Sequence, residues 1–178
     1  MTYERPPAKA WVILAIALVG VSSGGPLLAS MDVPPVLRAS WRLWATSIVL
    51  LPGFIVQLKW SDNEGYDLRT VSMISLSGLA LAIHFAAWTW SLDHTSLAHS
   101  LLFVTSHPIV IVSAMFVIER KADVLLITGA SLGFIGAALA LLDASDSGSV
   151  TYAGDAAAFL GAVAGAAYLA VGRILRSD

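Results

Sequence analysis

In an apolar stretch near the middle of the chain, Ser77, His84, Trp88 and Ser91 follow one another at intervals of seven, four and three residues. On a helix of 3.6 residues per turn this stacks them along one stripe. Two chemistries suit such a stripe. The seam lines a solute cavity, with Trp88 as an aromatic wall and His84 as a hydrogen-bonding or protonatable group. Alternatively, His84 bonds a neighbouring helix, a contact of about 1 kcal/mol or less. In the next apolar stretch His99, Phe103, Ser106 and His107 share a face, and Pro108 follows directly. The proline lacks an amide hydrogen and disturbs the turn before it. The carbonyls near Val104 and Thr105 then need water, a neighbour or a solute, unless the hydroxyls of Thr105 or Ser106 meet them.

Arg38 and Arg42 stand four apart, on one helix face, at the start of another apolar stretch and beside Trp41 and Trp44. A charge at mid-membrane costs about 2.5–3.5 kcal/mol on the insertion scale. The pair either reaches headgroups next to a tryptophan belt or faces an outward vestibule and holds an anionic group. The candidate solute-binding residues are therefore His84, Trp88, Ser91, Phe103, Ser106, His107, Arg38 and Arg42. His84, His99 and His107 come without cysteine, without an intramembrane Asp or Glu and without an i, i+4 histidine pair, so no metal and no cofactor is expected. No GxSxG, HExxH, P-loop or paired intramembrane aspartates occur, and the chain is not expected to be an enzyme.

The elements that must carry these residues follow from composition. The chain has 178 residues, 57% hydrophobic and only 12% charged, with a mean hydropathy of +0.80. That leaves too little polar surface to cover a water-soluble domain, and the lipid bilayer becomes the expected partner. A bilayer core about 30 Å thick needs ~20 apolar residues per helix. Six segments qualify, at 10–30, 36–57, 71–92, 96–118, 124–142 and 154–175. Their runs are continuously apolar rather than alternating, which excludes a β-barrel. The expected fold class is an all-α integral membrane protein with six transmembrane helices. The first segment is longer than a secretory h-region and lacks a small-x-small cleavage site leading into a polar region, so it reads as a retained span. The polar linkers at 61–67 and 143–148 suit turns between antiparallel helices.

Arg5, Lys9, Lys59, Arg69, Arg120, Lys121, Arg173 and Arg176 all fall on one side of this zigzag. Asp32, Asp93, His94, Asp143 and Asp146 occupy the other. Because cytoplasmic loops retain Lys and Arg, both termini are expected in the cytoplasm, in the inner cell membrane. The basic residues follow loops rather than one helix face, and the net charge is −2, so no nucleic-acid partner is expected. Gly20 and Gly24, Gly129 and Gly133, and Gly161 and Gly165 form three small-xxx-small pairs. These suit close packing within the bundle, or oligomer formation through one of the faces.

The order of motifs resembles the drug/metabolite transporter superfamily, in particular its EamA-type domain. The resemblance rests on Pro35, Arg38 and Arg42 opening the second segment, and on His84-Phe-Ala-Ala-Trp88-Thr-Trp-Ser-Leu92 running into Thr95-Ser-Leu-Ala98. Ser106-His-Pro108, Glu119-Arg120, Gly129-xxx-Gly133-xx-Gly136, Gly154-Asp155 and Tyr168-xxx-Gly172-Arg173 complete it. It implies a permease of small organic metabolites or amphipathic compounds that works by rocking one half against the other. It also implies that residues 1–142 form a five-helix repeat, and that 143–178 form a loop and the first helix of an incomplete, inverted second repeat. On this reading the chain is a truncated permease, or one completed by a homodimeric copy or a second chain supplying the missing helices. The competing expectation is a non-transporting membrane remnant or packing subunit.

Overall fold

The computed structural model describes residues 7–60, 67–120, 124–142 and 149–175. Parts of the polar linkers, and Arg5, Lys121, Asp143, Asp146 and Arg176 of the charge pattern, lie outside the described residues. Seven helices occur among the described residues, and no strand. They are α1 (Ala8–Ala29), α2 (Pro35–Trp60), α3 (Leu68–Ser91), α4 (Leu97–Val104), α5 (His107–Glu119), α6 (Val124–Leu142) and α7 (Tyr152–Ile174). In an apolar medium each backbone amide must be satisfied within its own segment, and continuous runs of Ala, Leu, Ile and Val do so only as helices. Among the described residues five spans are long and apolar enough to cross a membrane: Ala8–Ala29, Pro35–Val56, Leu68–Ser91, the broken span Leu97–Val117, and Tyr152–Ile174. The sixth expected span is a shorter apolar helix, Val124–Ala140.

Side-chain caps set three of the helix starts. Asp67 accepts from the Thr70 amide at 2.8 Å, Ser96 from His99 at 3.2 Å, and Thr151 from Gly154 at 3.1 Å. Arg120, with φ at 50°, ends α5 in the left-handed region.

The fourth expected span is broken at Thr105 and Ser106, between α4 and α5. Pro108 has no amide to give the Val104 carbonyl, and His107 Nδ1 donates to that oxygen instead, at 3.3 Å. Thr105 Oγ1 donates to Leu101 O at 2.7 Å, and Ser106 Oγ to Phe103 O at 2.6 Å. The Leu101 and Phe103 carbonyls also accept from the Thr105 and Ser106 amides, at 3.0 and 3.2 Å, and Thr105 Oγ1 reaches Leu102 O at 3.3 Å.

The packing is inverted relative to a water-soluble bundle. Thr89, Ser91, Ser100, Ala158 and Ala162 are 0% exposed, whereas Trp41 is 72%, Trp44 68% and Val49 77% exposed. Small and polar residues point inward and large apolar ones outward. This is the distribution expected where lipid supplies the apolar surroundings and helix contacts depend on close approach.

α3 and α7 form the most extensive pairing, and α7 also touches α4 and α5. Glycines make that closeness possible. A Cβ at Gly161 would stand 3.3 Å from the His84 carbonyl oxygen, one at Gly165 2.9 Å from His84 Nδ1, and one at Gly154 2.5 Å from the His94 carbonyl oxygen. The Gly161 and Gly165 pair is thus a packing face within the bundle. At Gly25 a Cβ would lie 3.1 Å from Leu101, which marks where α1 meets α4. Gly20, Gly129, Gly133 and Gly136 have nothing within 4 Å of a built Cβ, so the α6 glycines make no close helix contact; Gly129 and Gly133 border an open space beside α5.

Candidate functional site

The stripe on α3 faces inward: Ser77, Trp88 and Ser91 are buried and His84 is partly buried. His84 Nδ1 donates to Gly161 O of α7 at 2.7 Å. That bond places a proton on Nδ1 and leaves Nε2 as the acceptor of the neutral ring. The His84 ring meets Phe85 edge-on at 4.9 Å and stacks with Trp88 at 6.4 Å between centroids.

Arg42 of α2 projects onto this aromatic face. Its Cζ lies 4.8 Å from the Phe85 ring centre and 5.2 Å from that of Trp88, a geometry in which the ring faces attract the guanidinium. Gly24 of α1 borders the other side, its built Cβ lying 3.2 Å from Arg42 Nη1. Two donors here are buried and find no acceptor among the described residues, Arg42 Nη1 and Trp88 Nε1. An unmatched buried donor costs about 1–3 kcal/mol, more when it is charged. Arg42 also has no carboxylate partner among the described residues. Ser106 and His107 line a cavity of about 710 Å³ between α5 and α6, with Pro108, Gly129, Gly133 and Leu169 on its walls.

The two arginines, though on one helix face, meet different fates. Arg38 is 4% exposed and fully engaged. Its Nε donates to Val33 O at 2.9 Å, its Nη1 to Leu28 O at 2.9 Å, and its Nη2 to both oxygens of Asp93. It ties the end of α1 and the α1–α2 turn to the end of α3, and does not join the Arg42 cluster. Ser91 likewise has a structural partner, its hydroxyl lying 2.6 Å from that of Ser100 on α4 and 2.7 Å from Trp88 O. Ser106 is bound to its own helix end. Phe103 packs by His99, with ring centres 6.3 Å apart. Of the eight expected residues, Arg42 and His84 each meet Trp88, and Ser106 and His107 line the cavity beside α6; Arg38 turns to Asp93, Ser91 to Ser100 and Phe103 to His99.

The sequence reading passed over three polar ties. Thr89, fully buried, donates to Pro35 O of α2 at 3.0 Å and to Phe85 O at 2.8 Å. Asp155 of α7 accepts from Thr95 Oγ1 at 2.6 Å and from His99 Nδ1 at 3.2 Å. A carboxylate therefore does accompany one histidine, held in the first turn of α7 where the helix dipole favours negative charge. Thr151 Oγ1 donates to His94 O and completes this corner. The available signal was Thr151 as an N-cap three residues before Gly154, followed by an acid in the first helical turn. Among the described residues no three His, Cys, Asp or Glu side chains gather as a metal-holding group.

Fold and site together define a helical bundle built for a membrane, with one cationic, aromatic and donor-rich locus between α2, α3 and α7. Searches against protein-family models, curated proteins and solved structures found no match.

Proposed function

We propose that this chain works in the cell membrane as a permease of small organic metabolites or amphipathic compounds, in the manner of the EamA-type transporters it resembles. The observation that carries this reading is the convergence of Arg42, His84 and Trp88 inside apolar spans, with two buried donors left without acceptors. Intramembrane ionisable groups are costly, and such a group without a protein partner marks a ligand path more readily than a packing contact. The break at Thr105 and Ser106 and the cavity beside His107 lie on the adjoining span and supply room and a hinge for movement. The one-sided basic residues support an orientation with both termini in the cytoplasm.

Flux into proteoliposomes with a panel of amino acids and amphipathic cations tests the proposal. Trp88→Phe and His84→Ala should change uptake of whichever solute moves. Unchanged uptake kinetics in both would assign these side chains to packing alone.

A second reading, a non-transporting subunit that packs against another chain, is favoured by the α6 glycines, which no helix among the described residues closely approaches. The chain has no cysteine, so Gly133→Cys introduces a single thiol. Disulfide cross-linking of that variant in membranes, together with silence in the flux assay, would favour the subunit reading.

A further inference from the structure

The Arg42 locus has a composition that selects a ligand class. Around Arg42 stand Gly24 of α1 and the Phe85 and Trp88 rings of α3, with His84 stacked against Trp88. Guanidinium and indole groups donate hydrogen bonds and accept none. The Nδ1–H of His84 is already committed to Gly161 O. The aromatic faces of Phe85 and Trp88 offset part of the cost of burying the Arg42 charge, yet they offer no acceptor to Nη1 or to Trp88 Nε1. Asp93 is taken by Arg38, and Asp155 by Thr95 and His99. Trp88 is 7% exposed, so bulk water and headgroups do not reach its N–H freely.

From these observations we infer that the Arg42–Trp88 locus binds the carboxylate of a small organic monoanion. This inference rests on the transport reading and narrows its solute. The two oxygens of one carboxylate accept from the guanidinium and the indole N–H, which are charge-assisted and neutral donors respectively. The apolar body of the solute lies against Phe85 and the aromatic wall. A cation would meet Arg42 without any compensating carboxylate, and a neutral solute would leave the buried charge unopposed. Phosphate shares the oxyanion chemistry, in solution or on a lipid headgroup, but one guanidinium and one neutral N–H match a monoanion better than a dianion.

The test is equilibrium binding of radiolabelled benzoate to the purified full chain in dodecyl maltoside. Competition by benzamide, benzylamine and inorganic phosphate, and a parallel measurement in phosphatidylcholine nanodiscs, separate the ligand classes. Saturable benzoate binding is expected, displaced by none of the three competitors and unchanged in nanodiscs. Arg42→Gln should weaken it by about ten-fold or more, and Trp88→Phe, which keeps the ring and deletes the N–H, by a few-fold.

Equal displacement by benzamide or benzylamine, or undiminished binding in Arg42→Gln, overturns the inference. Displacement by phosphate, or loss of binding in nanodiscs, assigns the locus to phosphate or to a headgroup and overturns it as well. Should Arg42→Gln fail to give a monodisperse protein, Trp88→Phe decides: unchanged affinity there overturns the inference. Flux of neutral or cationic solutes without benzoate binding sinks this inference and leaves the transport reading. Benzoate binding with no flux of any solute does the reverse, and absence of both sinks the two together.

Discussion

Replacing Gly154 by alanine should loosen the corner that joins α7 to the rest of the bundle. The added Cβ would lie 2.5 Å from the His94 carbonyl oxygen, 2.6 Å from its carbon and 2.6 Å from Thr95 Cβ, whereas ordinary contact starts at 3.4 Å. The neighbours are backbone and a branch point rather than the flexible end of a side chain, so α7 must retreat by roughly an ångström. Such overpacking costs about 1–3 kcal/mol. The retreat also stretches the Thr95–Asp155 and Thr151–His94 bonds, and interhelical hydrogen bonds in membrane proteins average about 0.6 kcal/mol each. Alanine recovers up to about 1 kcal/mol of helix propensity, and less in a first turn. The net expectation is a loss of about 1–3 kcal/mol, read as a lower midpoint in reversible SDS unfolding followed by circular dichroism. Gly20→Ala and Gly133→Ala, where nothing lies within 4 Å, should be neutral or stabilising by up to about 1 kcal/mol. If Gly154→Ala proves as stable as Gly133→Ala, the close approach of α7 to the α3–α4 corner is wrong.

Three further outcomes follow from the polar contacts. Asp93→Asn should lower thermal stability by about 2 kcal/mol; this is less than the ~3–5 of a fully enclosed pair because the Asp93 side chain is 35% exposed and partly screened. A double-mutant cycle with Ser91→Ala and Ser100→Ala should give a coupling of about 0.6 kcal/mol, and a coupling indistinguishable from zero would remove their shared hydrogen bond from the account. Asp67 accepts hydrogen bonds from the side chain and backbone of Thr70, which hold its carboxyl below the usual range. Its contribution to the start of α3 is therefore present above the unfolded carboxylate pKa and lost as pH falls through the lower folded value. Amide exchange of the first turn of α3 should accelerate over that acidic window in the native chain, and Asp67→Asn should abolish the pH dependence.

Much of the site was legible because helical spacing is a local property. The intervals between Ser77, His84, Trp88 and Ser91 were enough to place them on one face, and that face is the one turned inward. The break beside Pro108 was legible for the same reason, since a missing amide has its effect within one turn. Spacing failed for Arg38 and Arg42. Both share a face, yet one turn of rise carries Arg38 to the Asp93 carboxylate and Arg42 to the Phe85 and Trp88 rings. The three glycine pairs were equally ambiguous: Gly161 and Gly165 touch a neighbour, while Gly129 and Gly133 touch none.

The sequence by itself determined that the chain is a set of apolar helices, where all but the broken fourth begin and end to within a few residues, and which residues share a stripe. Hydropathy and helical period depend only on neighbours along the chain. Which stripe meets which was decided by the tertiary structure alone. α7 presses on α3 through glycines, so His84 finds Gly161 O, Asp155 finds Thr95 and His99, and Arg42 is left among aromatic rings with no acceptor. A polar side chain in lipid is defined by its partner across the helix interface, and that partner is set by packing in three dimensions.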